Sequence, residues 1–178
     1  MVIIRATKRV LNTLRNWAAE EEESETSLGD WCVNRIVIDR KPLLLLVSSK
    51  SLLPIVTPAR DLKNLPERLP DLVAARLRRL GVLERVVEAE VALMAPVAIA
   101  PIRDRSVLGI MVEFAKMAPS YLVPDDWNET TLPFLESWLA RTPCHAGGRS
   151  EDVIWPDKAA RNLLNGRGQA RIQDQTLS

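Results

Sequence analysis

Arg103-Asp-Arg-Ser-Val-Leu-Gly-Ile-Met-Val-Glu-Phe-Ala-Lys-Met117 is apolar on almost every side behind a polar, arginine-flanked start. The spacing predicts a helix, with Asp104 or Ser106 as its cap and Pro119 as its stop. Only Glu113 and Lys116 break the apolar surface, and a helix of that kind is normally enclosed by other elements. The segment therefore predicts one nearly fully buried helix in the middle of a compact fold.

Upstream of it the chain reads as strands. Val2-Ile-Ile-Arg5 is a short β-branched strand, and Val10, Leu11, Leu14 and Trp17 then fall at helical spacing behind Thr7, a candidate N-cap. Trp31-Cys-Val-Asn-Arg-Ile-Val-Ile38 is rich in strand formers and ends at a turn-like Asp39-Arg-Lys-Pro42. Leu43-Leu-Leu-Leu-Val47 suits a central strand covered on both faces; leucine alone would also suit a short buried helix, but the segment is brief and bounded by turns. Pro54 has no N–H to give a sheet ladder, so Leu52-Leu-Pro-Ile-Val-Thr57 is an edge strand or carries a bulge. Between the first helix and Leu28, residues 20–27 hold four consecutive glutamates and a fifth, two serines and a threonine, which predicts a solvated acidic loop.

Beyond Asp61 the period becomes helical. Leu65, Leu69, Leu72, Val73, Leu77 and Leu80 share one face, with Gly81 placed to end the helix, and Leu83, Val86, Val87, Val91 and Met94 mark a second helix stopped by Pro96. Val97-Ala-Ile-Ala-Pro-Ile102 is a short strand leading into the enclosed helix. Residues 131–140 form an amphipathic helix, 142–148 a loop, and 156–165 a helix closed by Gly166. The expected architecture is α+β: a mainly antiparallel sheet of about five strands with helices packed over it. It occupies residues 1–165 as one domain, followed by a flexible C-terminal tail at 166–178.

Composition narrows the classes of function. The 24 basic and 23 acidic residues nearly cancel, so no global field draws the chain to nucleic acid or an anionic membrane. The longest uninterrupted apolar run, Leu43 to Val47, is far below the roughly 20 residues that cross a bilayer, and the basic residues of the first ten positions follow their apolar run, the reverse of a secretory signal. With only Cys32 and Cys144, the reading is a cytosolic protein in a reducing compartment.

Three ordered segments carry a resemblance: Leu28-Gly-Asp-Trp-Cys-Val-Asn34, Ser51-Leu-Leu-Pro-Ile-Val56 and Arg105-Ser-Val-Leu-Gly-Ile-Met111. Over residues 2–122 the chain resembles a bacterial family catalogued as domain of unknown function 6933, in which a Leu-Gly-x-Trp-x-x-Asn segment, a Thr-Leu-containing strand and an Arg-Ser-x-Leu-Gly-Ser-Met-Asn-Asp segment recur in this order. The resemblance marks Trp31, Asn34, Leu108 and Gly109 as structural motif residues and implies a cytosolic bacterial α+β domain, with no reaction, cofactor or substrate. Ile110, Val112 and Glu113 stand where the family has polar Ser, Asn and Asp, so any site those residues formed in relatives is altered here.

Candidate chemistry is sparse. His145, the one histidine, adjoins Cys144 in a glycine-rich loop, and neighbours in sequence rarely reach the geometry of a Cys-His pair. Cys32, Cys144 and His145 lack paired metal-ligand spacing, so no metal or cofactor is expected. Asp61, Asp71, Asp104, Asp125 and Asp126 suit caps and turns better than paired catalytic carboxylates. Arg76, Arg78, Arg79 and Arg85 near one helix end complement its dipole. Of the tryptophans, Trp31 and Trp138 are assigned to the core, Trp127 and Trp155 to pinning loops. One ligand site suggests itself, an anion held by Arg103, Arg105, Ser106 and the helix N-terminus, against which Asp104 competes as a cap. The leading expectation is a non-catalytic interaction or regulatory domain with a protein partner; the alternatives are an enzyme with a carboxylate-based site and a nucleic-acid-associated accessory protein.

Overall fold

A computed structural model describes residues 1–14, 23–145 and 152–176, with the side chain of Asp61 and those beyond residue 166 left out. The strands are β1 (Val2–Ala6), β2 (Trp31–Ile38), β3 (Lys41–Ser48), β4 (Pro54–Pro58) and β5 (Val97–Pro101), with a two-residue pair β6 (Cys144–His145) and β7 (Val153–Ile154). The helices are α1 (Lys8–Leu11), α2 (Leu65–Arg79), α3 (Glu84–Ala92), α4 (Arg105–Met117), α5 (Leu132–Ala140) and α6 (Pro156–Thr176). Trp17, expected on the first helix, lies outside the described residues, as do residues 146–148 of the expected loop at 142–148.

The main sheet runs β4-β3-β2-β1-β5. β2, β3 and β4 are consecutive antiparallel neighbours, as their turn-bounded patterns predict. β1, however, is parallel to both β2 and β5. The sheet is therefore mixed rather than mainly antiparallel. Alternation of side chains says nothing about strand direction; connection length does, and the long segments preceding β2 and β5 are of the dozen-or-more residues that a parallel crossover needs.

Each face of the sheet has its own core. Val2, Ile4, Ala6, Trp31, Val33, Leu44, Leu46 and Ile55 meet α1, α2, α3 and α6 on one side, while Cys32, Ile36, Leu43, Leu45, Val47 and Val56 meet α4 and α5 on the other. Leu43 to Val47 thus alternate between two cores, which is why a strand here is apolar at every position. α4 is not the buried helix its composition suggests. It lays Val107, Ile110, Met111 and Phe114 on the sheet and turns Gly109, Glu113, Lys116 and Val112, which is 42% exposed, to solvent. Gly109 and Val112 extend the apolar stretch of the sequence without being covered in the structure.

The β4 edge is closed by side chains from both layers. Pro54 and Pro58 have no N–H; the Val56 N–H donates to Glu136 Oε1 of α5 at 2.9 Å, and Arg76 Nε of α2 donates to the Pro54 carbonyl at 3.0 Å. Arg79 Nη2 reaches the other Glu136 oxygen at 2.7 Å. Burial pulls the Arg76 guanidinium pKa down, opposed by the nearby Glu136 charge. These groups shield the strand edge that would otherwise template another chain and fix α5 against β4.

Three further expectations change. Thr7 takes the N-cap position of α1 as expected, but its side chain makes no capping bond; its hydroxyl donates to Asn34 Oδ1 at 3.1 Å. Glu20 to Glu22 lie outside the described residues, but the rest of the acidic loop is structural: Ser24, Thr26 and Ser27 are buried, and Ser24 Oγ accepts the Ile3 N–H at 2.9 Å. α6 continues through Gly166 to Thr176, so Gly166 does not end the helix.

Candidate functional site

The most distinctive surface is the outer face of α5. Its approach is set by Asn128, whose side chain accepts the Thr130 N–H at 2.9 Å while Thr131 Oγ1 accepts the Asn128 N–H at 3.3 Å. This reciprocal cap orients the helix. Leu132, Leu135, Leu139 and Ala140 are buried, and Glu136 serves the β4 edge. The opposite face carries Phe134, Trp138 and Arg141 at i, i+4 and i+7, neighbours on one helical stripe. Phe134 is 69% exposed and Trp138 53%. Tyr121, 37% exposed and in the 3-10 turn that follows α4, stacks on Trp138 with ring centroids 5.7 Å apart and planes 5° apart.

Trp138 is thus a surface residue rather than the core residue expected. The chain holds five tryptophans, two phenylalanines and one tyrosine; Trp31, Phe114 and Trp127 serve the interior, while three others meet on this face. The sequence signal was present: a helix whose leucines already make one apolar stripe carries a second one opposite. Trp127 does pin a loop, donating its indole N–H to Asp39 and lying under Lys41 Nζ, 4.3 Å from the ring centroid. Trp155, 40% exposed, has Lys158 Nζ over its ring at 5.1 Å.

A polar cleft of about 280 Å³ lies at the β1–β2 side of the sheet, lined among others by Arg5, Ser24, Asp30, Lys50, Arg103 and Asp104. Gly29 shapes its floor. Its φ of +77° suits glycine, and an added Cβ would come within 2.4 Å of Ser49 Oγ. The close approach lets the 28–30 segment lace to the β3–β4 turn: the Asp30 N–H donates to Ser49 Oγ at 2.9 Å, the Ser49 N–H to the Asp30 carbonyl at 2.8 Å and the Lys50 N–H to the Leu28 carbonyl at 3.2 Å. From the far side the buried Glu90 carboxylate of α3 accepts the Ser27 and Leu28 N–H groups, each at 2.9 Å.

Both aspartates of the cleft are already engaged. Asp30 accepts from Arg5 Nε at 2.7 Å and from Ser24 Oγ at 2.5 Å. Asp104 caps α4, its Oδ1 accepting the Ser106 N–H at 2.8 Å and the Val107 N–H at 3.1 Å. The Cys32 thiol on the wall is pushed up to about 12, first by burial and then by the negative charges of Asp30 and Asp104, with Arg5 opposing. A thiol held so high is not a nucleophile at neutral pH.

The residues singled out from sequence separate in space. Arg103 lines the cleft, whereas Arg105 and Ser106 are exposed on the first turn of α4 and are not part of its lining. The Asp104 carboxylate takes two of the N–H groups an anion would need. Trp31 is fully buried, Asn34 holds Thr7, Leu108 is half-buried, and Gly109 is exposed with open space where a Cβ would stand. Cys144 is buried and His145 exposed on adjacent positions of β6, so they point to opposite faces and form no catalytic pair. Burial raises the Cys144 thiol to about 11. Three of the four clustered arginines have internal work: Arg76 and Arg79 at the β4 edge and Arg78 in an ion pair with Glu84. Among the described residues no group of three or more His, Cys, Asp or Glu side chains is placed to hold a metal ion, and no helix is long and apolar enough to cross a membrane.

The sequence pattern of a family described as Domain of unknown function (DUF6933) matches residues 3–159. The matched span extends past the 2–122 resemblance to include α5 and its aromatic face. No curated protein and no solved structure matches the chain.

Proposed function

The chain belongs to the DUF6933 family, and from that premise we propose that it is a non-catalytic interaction domain whose partner surface is the outer face of α5. The observation that carries this reading is the exposed Tyr121–Trp138 stack beside Phe134. The leucine stripe of α5 already anchors the helix, so the outer aromatics are not needed by the core. Tyrosine, tryptophan and arginine are the side chains that most often dominate binding energy at protein interfaces, and all three stand together here. The cleft supports the same reading from its chemistry, since Asp104 is committed to a helix cap and Asp30 to an ion pair, and the Cys32 thiol is neutral. The protein reads as a cytoplasmic one, a reading supported by its two buried free cysteines.

The alternative of an enzyme with a carboxylate-based site draws on Asp30 and Asp104 lining one cleft. It is the weaker reading because neither carboxylate is held for proton transfer. Affinity purification from the native host with wild-type protein and a Phe134→Ala/Trp138→Ala variant separates them. A stoichiometric protein retained by the wild type and lost from a variant of unchanged thermal stability supports the interaction reading; identical retained sets overturn it.

A further inference from the structure

Resting on the reading of α5 as a partner surface, we infer that its partner is a short acidic segment bearing bulky aliphatic side chains, rather than a second copy of this chain.

Size is the first argument. Whole aromatic side chains carry 150–250 Å² each, so the exposed fractions of Phe134, Trp138 and Tyr121 amount to roughly 300 Å². A stable interface between folded domains covers about 800 Å² on each partner. The patch is less than half of that, but it is the scale of an anchor site for a single helix or extended segment. A partner helix placing two aliphatic side chains one turn apart would match Phe134 and Trp138, which are separated by four residues, a rise of about 6 Å.

Charge is the second argument. Between residues 129 and 141 the ionised side chains are Glu129, Glu136 and Arg141. Both carboxylate oxygens of Glu129 are taken by Arg60, and Glu136 is buried with Arg76 and Arg79. Arg141 is exposed, one turn beyond Trp138, with no ion pair among the described residues. The face therefore presents aromatics with an exposed cation at its C-terminal end, in no ion pair among the described residues. Arg141 stands at the C-terminal end of α5, so the polarity is directional. A bound segment has its apolar anchors over Phe134 and Trp138 and its acidic residues at the Arg141 end.

The test is panning of a random 16-residue peptide display library against the full chain, with the Phe134→Ala/Trp138→Ala and Arg141→Glu variants in parallel. Thermal melts confirm that the variants fold, and sedimentation velocity follows the oligomeric state. The expected result is an acidic, aliphatic consensus on the wild type that the double variant does not select and that Arg141→Glu selects without its acidic end. A peptide made to that consensus should lose at least about tenfold in affinity on Trp138→Ala. A basic or charge-indifferent consensus that still needs Trp138 overturns the acidic partner while leaving α5 as the interaction surface. A concentration-dependent dimer broken by Trp138→Ala does the same, with a second copy as the occupant. No enrichment from a monomeric protein overturns both.

Discussion

Trp127 donates its indole N–H to Asp39 Oδ2 at 2.6 Å, the same oxygen that accepts the Asp125 N–H at 3.0 Å. Asp39 sits at the tip of the β2–β3 hairpin, where it and Arg40 both have positive φ, the geometry of a two-residue hairpin turn. One carboxylate thus ties a strained turn to the loop that leads into α5.

Those two donors lower the Asp39 pKa below its ordinary value, the backbone bond contributing most. A carboxylate with a depressed folded-state pKa adds stability that is present above its unfolded pKa and is lost as pH falls through the folded value. Acid titration should therefore release the Trp127 indole only below the ordinary aspartate range. Following the Trp127 Nε1–H resonance by NMR checks this; a midpoint at or above 3.8, the unperturbed value, would contradict it.

Glu90 is the buried partner of two backbone N–H groups, those of Ser27 and Leu28. Glu90→Ala strands both donors, at about 1–3 kcal/mol each, so a loss on the order of 2–6 kcal/mol is expected in urea unfolding. Glu90→Gln keeps one acceptor and should fall between. If both variants melt like the wild type, the 23–30 segment is not held from α3.

The legible parts of the fold were those with a repeating signal. Four successive leucines and a valine, Leu43 to Val47, reveal a strand between two cores, and Pro54 reveals an edge. The parallel pairing of β1 left no trace in its own residues, because Val2, Ile3 and Ile4 would read alike in either direction. The 23–27 segment misled for a different reason. Ser24 and Thr26 have the polarity of a solvated loop, yet their hydroxyls bond to Asp30 and to the Gly29 carbonyl inside the protein. Arg103 and Asp104 were read from sequence as neighbours of a helix start. Their meeting with Arg5 and Lys50 at one cleft depends on the crossover, and residue spacing does not report it.

Three glycines separate conformation from contact. Gly81 has φ +80° with open space around it, and completes the C-terminal cap of α2 through bonds from its N–H to Arg78 and from the Val82 N–H to Leu77. Gly81→Ala should cost about 1–2 kcal/mol, the left-handed penalty alone. Gly29→Ala adds the displacement of Ser49 and its bond to Asp30, for about 3 kcal/mol in all. Gly109 is helical and unhindered, so Gly109→Ala should stabilise by about 0.8–1 kcal/mol. Denaturant midpoints of the three variants give the ranking directly, and destabilisation by Gly109→Ala would show a packing role not visible in the structure.

The two faces of α4 give the last test. Phe114 is 1% exposed on the sheet side, and Phe114→Ala should cost about 3–5 kcal/mol by leaving a cavity. Val112, two residues earlier, faces solvent, so Val112→Ser should stay within about 0.5 kcal/mol of wild type. An enclosed helix would lose heavily at both positions. Unfolding curves that show a large loss at Phe114 and none at Val112 fit a one-sided helix; equal losses would mean that something covers the outer face of α4 in solution, and the surface around Val112 and Glu113 would become the place to look for it.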